Sequence, residues 1–141
     1  MPYRYAIDPD RDLLVVRGWD TLALDEVQEG ALDTLSDPAF RPGLRILVDY
    51  TRLRRYDLPL QDVRRLADFL HRHRDAIGAA RIAMVAPADA VYGVGRMWSS
   101  LQPEWAAEVA FFRTLEEGAA WLDVTPDTLP TDAPSPGSPS T

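Results

Sequence analysis

The 141-residue sequence predicts an α/β domain, a mixed and mostly parallel sheet of about five strands covered by about four helices in the order ββαβαβαβα. Three observations carry this. The chain opens with two stretches of apolar residues separated by a turn, the first in strict period-two alternation. Short apolar runs recur at 45–49, 82–85 and 109–112. Each run is followed by a segment with helical apolar spacing, and strands alternating with helices form crossover units packed on one sheet.

The elements follow in order. Tyr3, Tyr5 and Ile7 alternate with Arg4, Ala6 and Asp8, Pro9-Asp10-Arg11-Asp12 makes a turn, and Leu13 to Arg17 completes a hairpin that Gly18-Trp19-Asp20 breaks. Leu24, Val27, Ala31, Leu32 and Leu35 lie at helical spacing, with Asp25 and Glu26 at the positive end of the helix dipole. That helix stops before Asp37-Pro38, because proline disfavours helical geometry in the residue before it. Arg45 to Asp49, after a Pro42-Gly43 turn, reads as a central strand. Pro59 opens a second helix at its first position, where a missing N–H forfeits nothing, and Val63, Leu66, Ala67 and Leu70 line one face. Ile82 to Val85 is a buried strand, and Pro87-Ala88-Asp89 caps a third helix through about Leu101. Val109, Phe111 and Phe112 mark the last strand, and Thr114 with Glu117 forms a capping box for a helix closed by Ala120-Trp121-Leu122.

Composition sets the domain limits and excludes some functions. The folded part is expected over 1–122, followed by a disordered acidic tail over 123–141 that holds five prolines, three aspartates and no basic or aromatic residue. With no cysteine, disulfides, thiolate nucleophiles and cysteine zinc sites are excluded. The N-terminus lacks a signal-peptide core and no apolar run approaches the ~20 residues of a membrane span, so a cytoplasmic location is expected. The net charge of −7 argues against nucleic-acid binding. Residues 52–81 nevertheless hold eight arginines against four aspartates, a local charge of +4.

Few residues suggest chemistry. His71 and His73 sit two apart, on opposite sides of a helix, and are poorly placed for one metal. Ser99-Ser100 has no base at motif spacing and no elbow motif around it. Gly93-Val94-Gly95 lies inside a helix rather than in a strand-to-helix turn, so it is not a dinucleotide fingerprint and leaves two readings, close helix-to-sheet packing or room for a guest. Asp49, at the end of the central strand, lies where α/β sheets place ligands, or else caps a loop through local bonds. The aromatic set of Trp19, Tyr56, Tyr92 and Trp98, with Met97, is either core or the lining of an apolar pocket with Arg96 at its mouth.

The element order, with Leu47-Val48-Asp49, Tyr56-Asp57-Leu58, Val85-Ala86-Pro87, Tyr92-Gly93-Val94-Gly95-Arg96-Met97 and the closing stretch Phe112 to Leu122, resembles the STAS-like family (sulfate transporter and anti-sigma-factor antagonist) over about residues 3–122. The resemblance implies a helix-covered sheet with a non-enzymatic regulatory or scaffolding role, or the lipid-binding variant related to CRAL-TRIO domains. In anti-sigma-factor antagonists a phosphorylatable serine follows an aspartate after the central strand. Here Leu58 stands in that place, after Asp57, so a phosphoserine switch is not expected.

The leading expectation is a module that binds an acidic protein surface through the loop 50–58 and the arginine-bearing second helix, with Arg54, Arg55, Tyr56, Asp57, Arg64 and Arg65 as its face. The alternative is a carrier or sensor of a small apolar or lipid-like ligand held between the third helix and the sheet. Its pocket would be made by Trp19, Asp49, Tyr92, Gly93, Gly95, Arg96 and Trp98. No cofactor, metal or catalytic residue is expected under either.

Overall fold

The computed structural model describes residues 3–21, 23–55, 59–101 and 107–125, without the side chains of Arg55, Val91 and Ser99. Strands β1 (Tyr3–Asp8), β2 (Leu13–Thr21), β3 (Arg45–Arg55), β4 (Arg81–Val85) and β5 (Glu108–Phe112) form one sheet in sequential order. Its β1 and β2 are antiparallel, and every later pair is parallel. The helices are α1 (Leu24–Leu35), α2 (Leu60–Arg72), α3 (Arg74–Ile77), α4 (Ala88–Leu101) and α5 (Leu115–Trp121).

Strand alternation decides which face each residue serves. Leu14, Ile46, Val48 and Ile82 belong to one buried cluster, with Val16, Met84 and Val109 packed against it on the face covered by α1, α2 and α4. Leu13, Val15, Leu47, Ala83 and Val85 form the core of the opposite face with Leu122, under α5. Helix α4 lays Val94, Met97, Trp98 and Leu101 against Val63 and Ala67 of α2, so it packs on a helix as much as on the sheet.

Four features depart from the sequence reading. Strand β2 does not end at Gly18 but passes an irregularity between Arg17 and Trp19 and runs to Thr21, with Asp20 at φ +58°. Strand β3 likewise continues to Arg55, because β2 extends beside it and supplies a ladder as far as Thr21↔Arg55. Most of the expected loop 50–58 is therefore strand, and Asp49 lies in mid-strand. Pro59 has extended geometry (φ −66°, ψ 161°) and is the N-cap of α2 rather than its first turn. A fifth helix, α3, fills the connection to β4, and Ile77 enters the core from it.

The end of the domain is tightly held. Thr114 caps α5 by accepting the Glu117 N–H at 3.1 Å. At the other end the Asp123 N–H donates to Ala120 and the Val124 N–H to Ala119, a closing pattern that places Asp123 in the left-handed region at φ +61°. Arg45 Nη1 donates to the carbonyls of Leu122 (3.0 Å) and Asp123 (3.2 Å), tying this end to β3. Packing thus extends past the expected limit at 122 to Val124, which covers the α5 face. Residues 126–141, most of the expected tail, lie outside the described residues.

Two substitutions test this packing. A Cβ at Gly118 would stand 2.8 Å from Val85 Cγ2 and 3.2 Å from Leu47 Cδ1, so Gly118→Ala is expected to destabilise by about 1–3 kcal/mol in chemical denaturation. Asp123→Gly relieves the left-handed residue and should raise stability by up to about 1 kcal/mol in the same assay.

Candidate functional site

An apolar pocket, open on one side, lies between α1, α2 and the sheet, with a volume of about 140 Å³. Period-two positions floor it: Leu14 and Val16 from β2, Ile46, Val48 and Tyr50 from β3, and Ile82 and Met84 from β4. Val27, Gly30, Ala31, Thr34 and Leu35 wall it from α1, at spacings that keep one helix face inward, and Leu66 and Leu70 do so from α2.

Polar groups at the rim hold α1 in place. Tyr3 Oη donates to Asp33 Oδ2 at 2.5 Å and Tyr5 Oη to Asp37 Oδ2 at 2.8 Å, linking β1 to the last turn of α1 and the residues after it. The Tyr3 ring lies against Gly30, where a Cβ would come within 3.0 Å of Cε2, so the close approach of strand and helix requires glycine there. Thr34 Oγ1 donates to the Gly30 carbonyl at 2.7 Å, which satisfies a buried hydroxyl. Burial together with the Asp37 hydrogen bond pushes the Tyr5 hydroxyl up to about 12, burial with the Asp33 hydrogen bond raises that of Tyr3 further, and burial alone takes Tyr50 to about 12.

The expected ligand residues fall into separate places. Asp49 is buried and faces away from this pocket. Its Oδ2 accepts Arg17 Nη1 at 2.7 Å, and its Oδ1 accepts the Thr51 N–H at 3.0 Å and the Thr51 hydroxyl at 2.6 Å. The two Thr51 bonds are local, as in the loop-capping reading, but they form within strand β3 rather than at a loop, and the third bond reaches Arg17 on β2. Trp19 lies on the extended part of β2, where the buried Arg4 guanidinium sits 5.7 Å from its ring centre. Tyr92, Gly95, Arg96 and Trp98 do come together, with Val109, Ala110 and Phe111, around an open groove of about 550 Å³ beside β5. Gly93 is in the same helix, but a Cβ there would meet nothing within 4 Å. Trp98 is largely core, 8 % exposed and edge-on to Phe111 at 6.5 Å.

Of the expected interaction face, Arg54 is exposed on β3, and Arg64 and Arg65 are exposed on α2. Arg55 ends β3, and Tyr56, Asp57 and Leu58 lie outside the described residues. His73 packs its ring 4.6 Å from that of Phe69, and Ser100 Oγ donates to the Met97 carbonyl at 2.7 Å. The described residues contain no group of three or more potential metal ligands and no helix long and apolar enough to cross a membrane.

The sequence reading missed the α1/α2 pocket. Gly30-Ala31 inside an otherwise apolar helix face, opposite Tyr3, was the available signal.

No protein-family model and no curated protein matches the chain. Among solved structures it is similar to an uncharacterised protein of the DUF3478 family from Shewanella loihica, described as having a SpoIIAA-like fold. The match has a TM-score of 0.54 at 18% identity and covers 85% of this chain and 93% of that one. The domain therefore has a SpoIIAA-like, STAS-like fold. At that identity the likeness speaks to the fold alone.

The tyrosines set an alkaline limit. An unfolded tyrosine titrates near ~10 while the folded ones hold their protons to higher pH, so above pH ~10 the unfolded state releases protons that the native state keeps. Their contribution to stability is expected to be complete below pH ~10 and to fall between about pH 10 and 12. Urea titrations across that range should show the decline, and Tyr5→Phe should make it shallower.

Proposed function

We propose that this domain is a non-enzymatic holder of a small apolar molecule, seated between α1, α2 and the sheet. The observation that carries this reading is the 140 Å³ pocket lined almost entirely by aliphatic and aromatic side chains. A sealed apolar cavity of roughly 150 Å³ accepts a guest of benzene size, and this pocket offers a similar volume and lining while open on one side for entry. The lining suits binding rather than chemistry: the Tyr3 and Thr34 hydroxyls are engaged in internal hydrogen bonds, and Glu26 Oε1 accepts the Ala23 N–H at 3.0 Å. The location differs from the one expected, because the pocket lies under the first two helices and not under the third.

Toluene and indole are suitable probes. At ten times the dissociation constant a one-site ligand stabilises by about 1.4 kcal/mol, which for a domain of this size is a rise in melting temperature of roughly 3–6 °C. Ala31→Phe, which projects a ring into the pocket, is expected to abolish that rise without lowering the unliganded melting temperature. Equal shifts in the variant and the wild type would place the guest elsewhere. Native mass spectrometry of freshly purified protein gives an independent check through any retained small molecule.

A second reading rests on charge. Arg52, Arg54, Arg64, Arg65 and Arg72 are exposed, and the ion pairs among the described residues engage other arginines. Such a cluster on an acidic chain fits an acidic protein surface. Joint replacement of Arg54, Arg55, Arg64 and Arg65 by Ala should then slow association with that partner and flatten its dependence on salt, leaving the fold intact. Unchanged association kinetics would reduce the cluster to solvated surface.

A further inference from the structure

We infer that the groove between α4 and β5 is a second, independent binding site, one that takes an extended peptide strand bearing an acidic side chain.

The first observation concerns glycine. A glycine inside a helix is unfavourable relative to alanine and persists where neighbours leave no room for a Cβ. Gly30 and Gly118 have that reason, with neighbouring atoms at 3.0 Å and 2.8 Å from a built Cβ. Gly93 and Gly95 do not. At Gly93 a Cβ meets nothing within 4 Å, and at Gly95 the nearest atom is Phe111 Cγ at 3.5 Å, an ordinary contact. Close packing of α4 on the sheet is thus not what these glycines serve. What Gly95 does is lower the helix wall of the groove directly opposite Phe111.

The second observation is the sheet edge. Among the described residues, strand β5 is the last in the sheet and pairs with β4 alone. Glu108 N–H donates to the Ala80 carbonyl at 2.9 Å and the Phe112 carbonyl accepts the Ala86 N–H at 3.1 Å, so Glu108, Ala110 and Phe112 present their main chain to β4. By the alternation of a parallel ladder, Val109 and Phe111 present theirs to the open edge. Two N–H and two C=O groups in strand geometry are what an added strand pairs with. Main-chain pairing of this kind favours a peptide over a small molecule.

The third observation is the charge at the rim. Tyr92 is 68 % exposed, and Arg96 lies 5.3 Å from its ring centre with Nη1 donating to Tyr92 Oη at 3.1 Å. None of the ion pairs found among the described residues, which engage Arg11, Arg17, Arg41 and Arg81, involves Arg96. A guanidinium braced in this way offers a carboxylate paired donors beside the strand edge. Tyr92, Gly95, Arg96 and Phe111 therefore select an apolar side chain flanked by an acidic one.

The full chain is immobilised and used to select from a displayed library of random heptapeptides, and a selected peptide is then titrated against the protein. Expected are sequences that alternate apolar residues and carry one Asp or Glu, with amide exchange of Val109 and Phe111 slowed on binding. Gly95→Leu and Arg96→Glu should each weaken binding at least tenfold, and exchanging the peptide's acid for Lys should restore binding to Arg96→Glu. Gly95→Ala should melt no lower than wild type; a clear loss of stability would return that glycine to a packing role and overturn the inference. It is equally overturned if no peptide is enriched, if binding leaves the two amides unprotected as a small aromatic guest would, or if sedimentation shows a dimer that buries the β5 edge. Pocket binding of toluene or indole is unaffected by these variants, so the two sites stand or fall separately.

Discussion

The burial of Ile46 to Asp49 on both faces of β3 is the constraint on which the rest of the structure depends. Ile46 and Val48 serve the α1/α2/α4 face and Leu47 the α5 face, so a one-residue slip against β2 would exchange the two cores. Apolar matching alone would leave such slips insufficiently penalised, since both faces are apolar. The Arg17–Asp49 pair adds the missing discrimination, because Asp49 is buried and only one register gives its carboxylate a guanidinium across the ladder. Removing one partner of a fully buried pair typically costs about 3–5 kcal/mol; with Arg17 part-exposed the cost here is smaller, though still more than the net worth of the pair itself.

The two faces are covered unequally, and that asymmetry produces the pocket. Three helices share one face, and α4 spends much of its apolar stripe on α2. Helix α1 and the residues after it meet the sheet edge through the Tyr3–Asp33 and Tyr5–Asp37 hydrogen bonds and the Tyr3–Gly30 contact, besides the packing of Leu35. Each such bond contributes only about 1 kcal/mol net. The other face has one short helix, yet it is closed firmly by Leu122 and Val124, with Arg45 on the helix's terminal carbonyls.

Arginine serves two distinct ends in a chain that has no lysine. Arg17, Arg45 and Arg81 are structural: one pairs with a buried aspartate, one binds carbonyls, and one lies 4.0 Å from the Trp121 ring centre beside Glu108. On the outer surface of α2, Arg64 and Arg65 are exposed, whereas Arg72 lies 6.0 Å from the Phe69 ring centre. Planar guanidinium groups suit both tasks, through several donors in fixed geometry and stacking on aromatic rings.

The sequence by itself determined the kind and order of the main elements, because period-two and helical spacing, the Thr114–Glu117 cap and the proline boundaries are local signals that need no partner. It also showed that two glycines in α4 demanded a reason. Only the tertiary structure decided what that reason was not, since a Cβ at Gly95 is tolerated or excluded by Phe111, sixteen residues away. The continuation of β3 past Asp49 belongs to the same class, as it depends on β2 lying alongside. So does the pocket, whose walls come from β2, α1, β3, α2 and β4. A void is the space left when backbones meet at set distances, and those distances are fixed by long-range packing that no local pattern encodes.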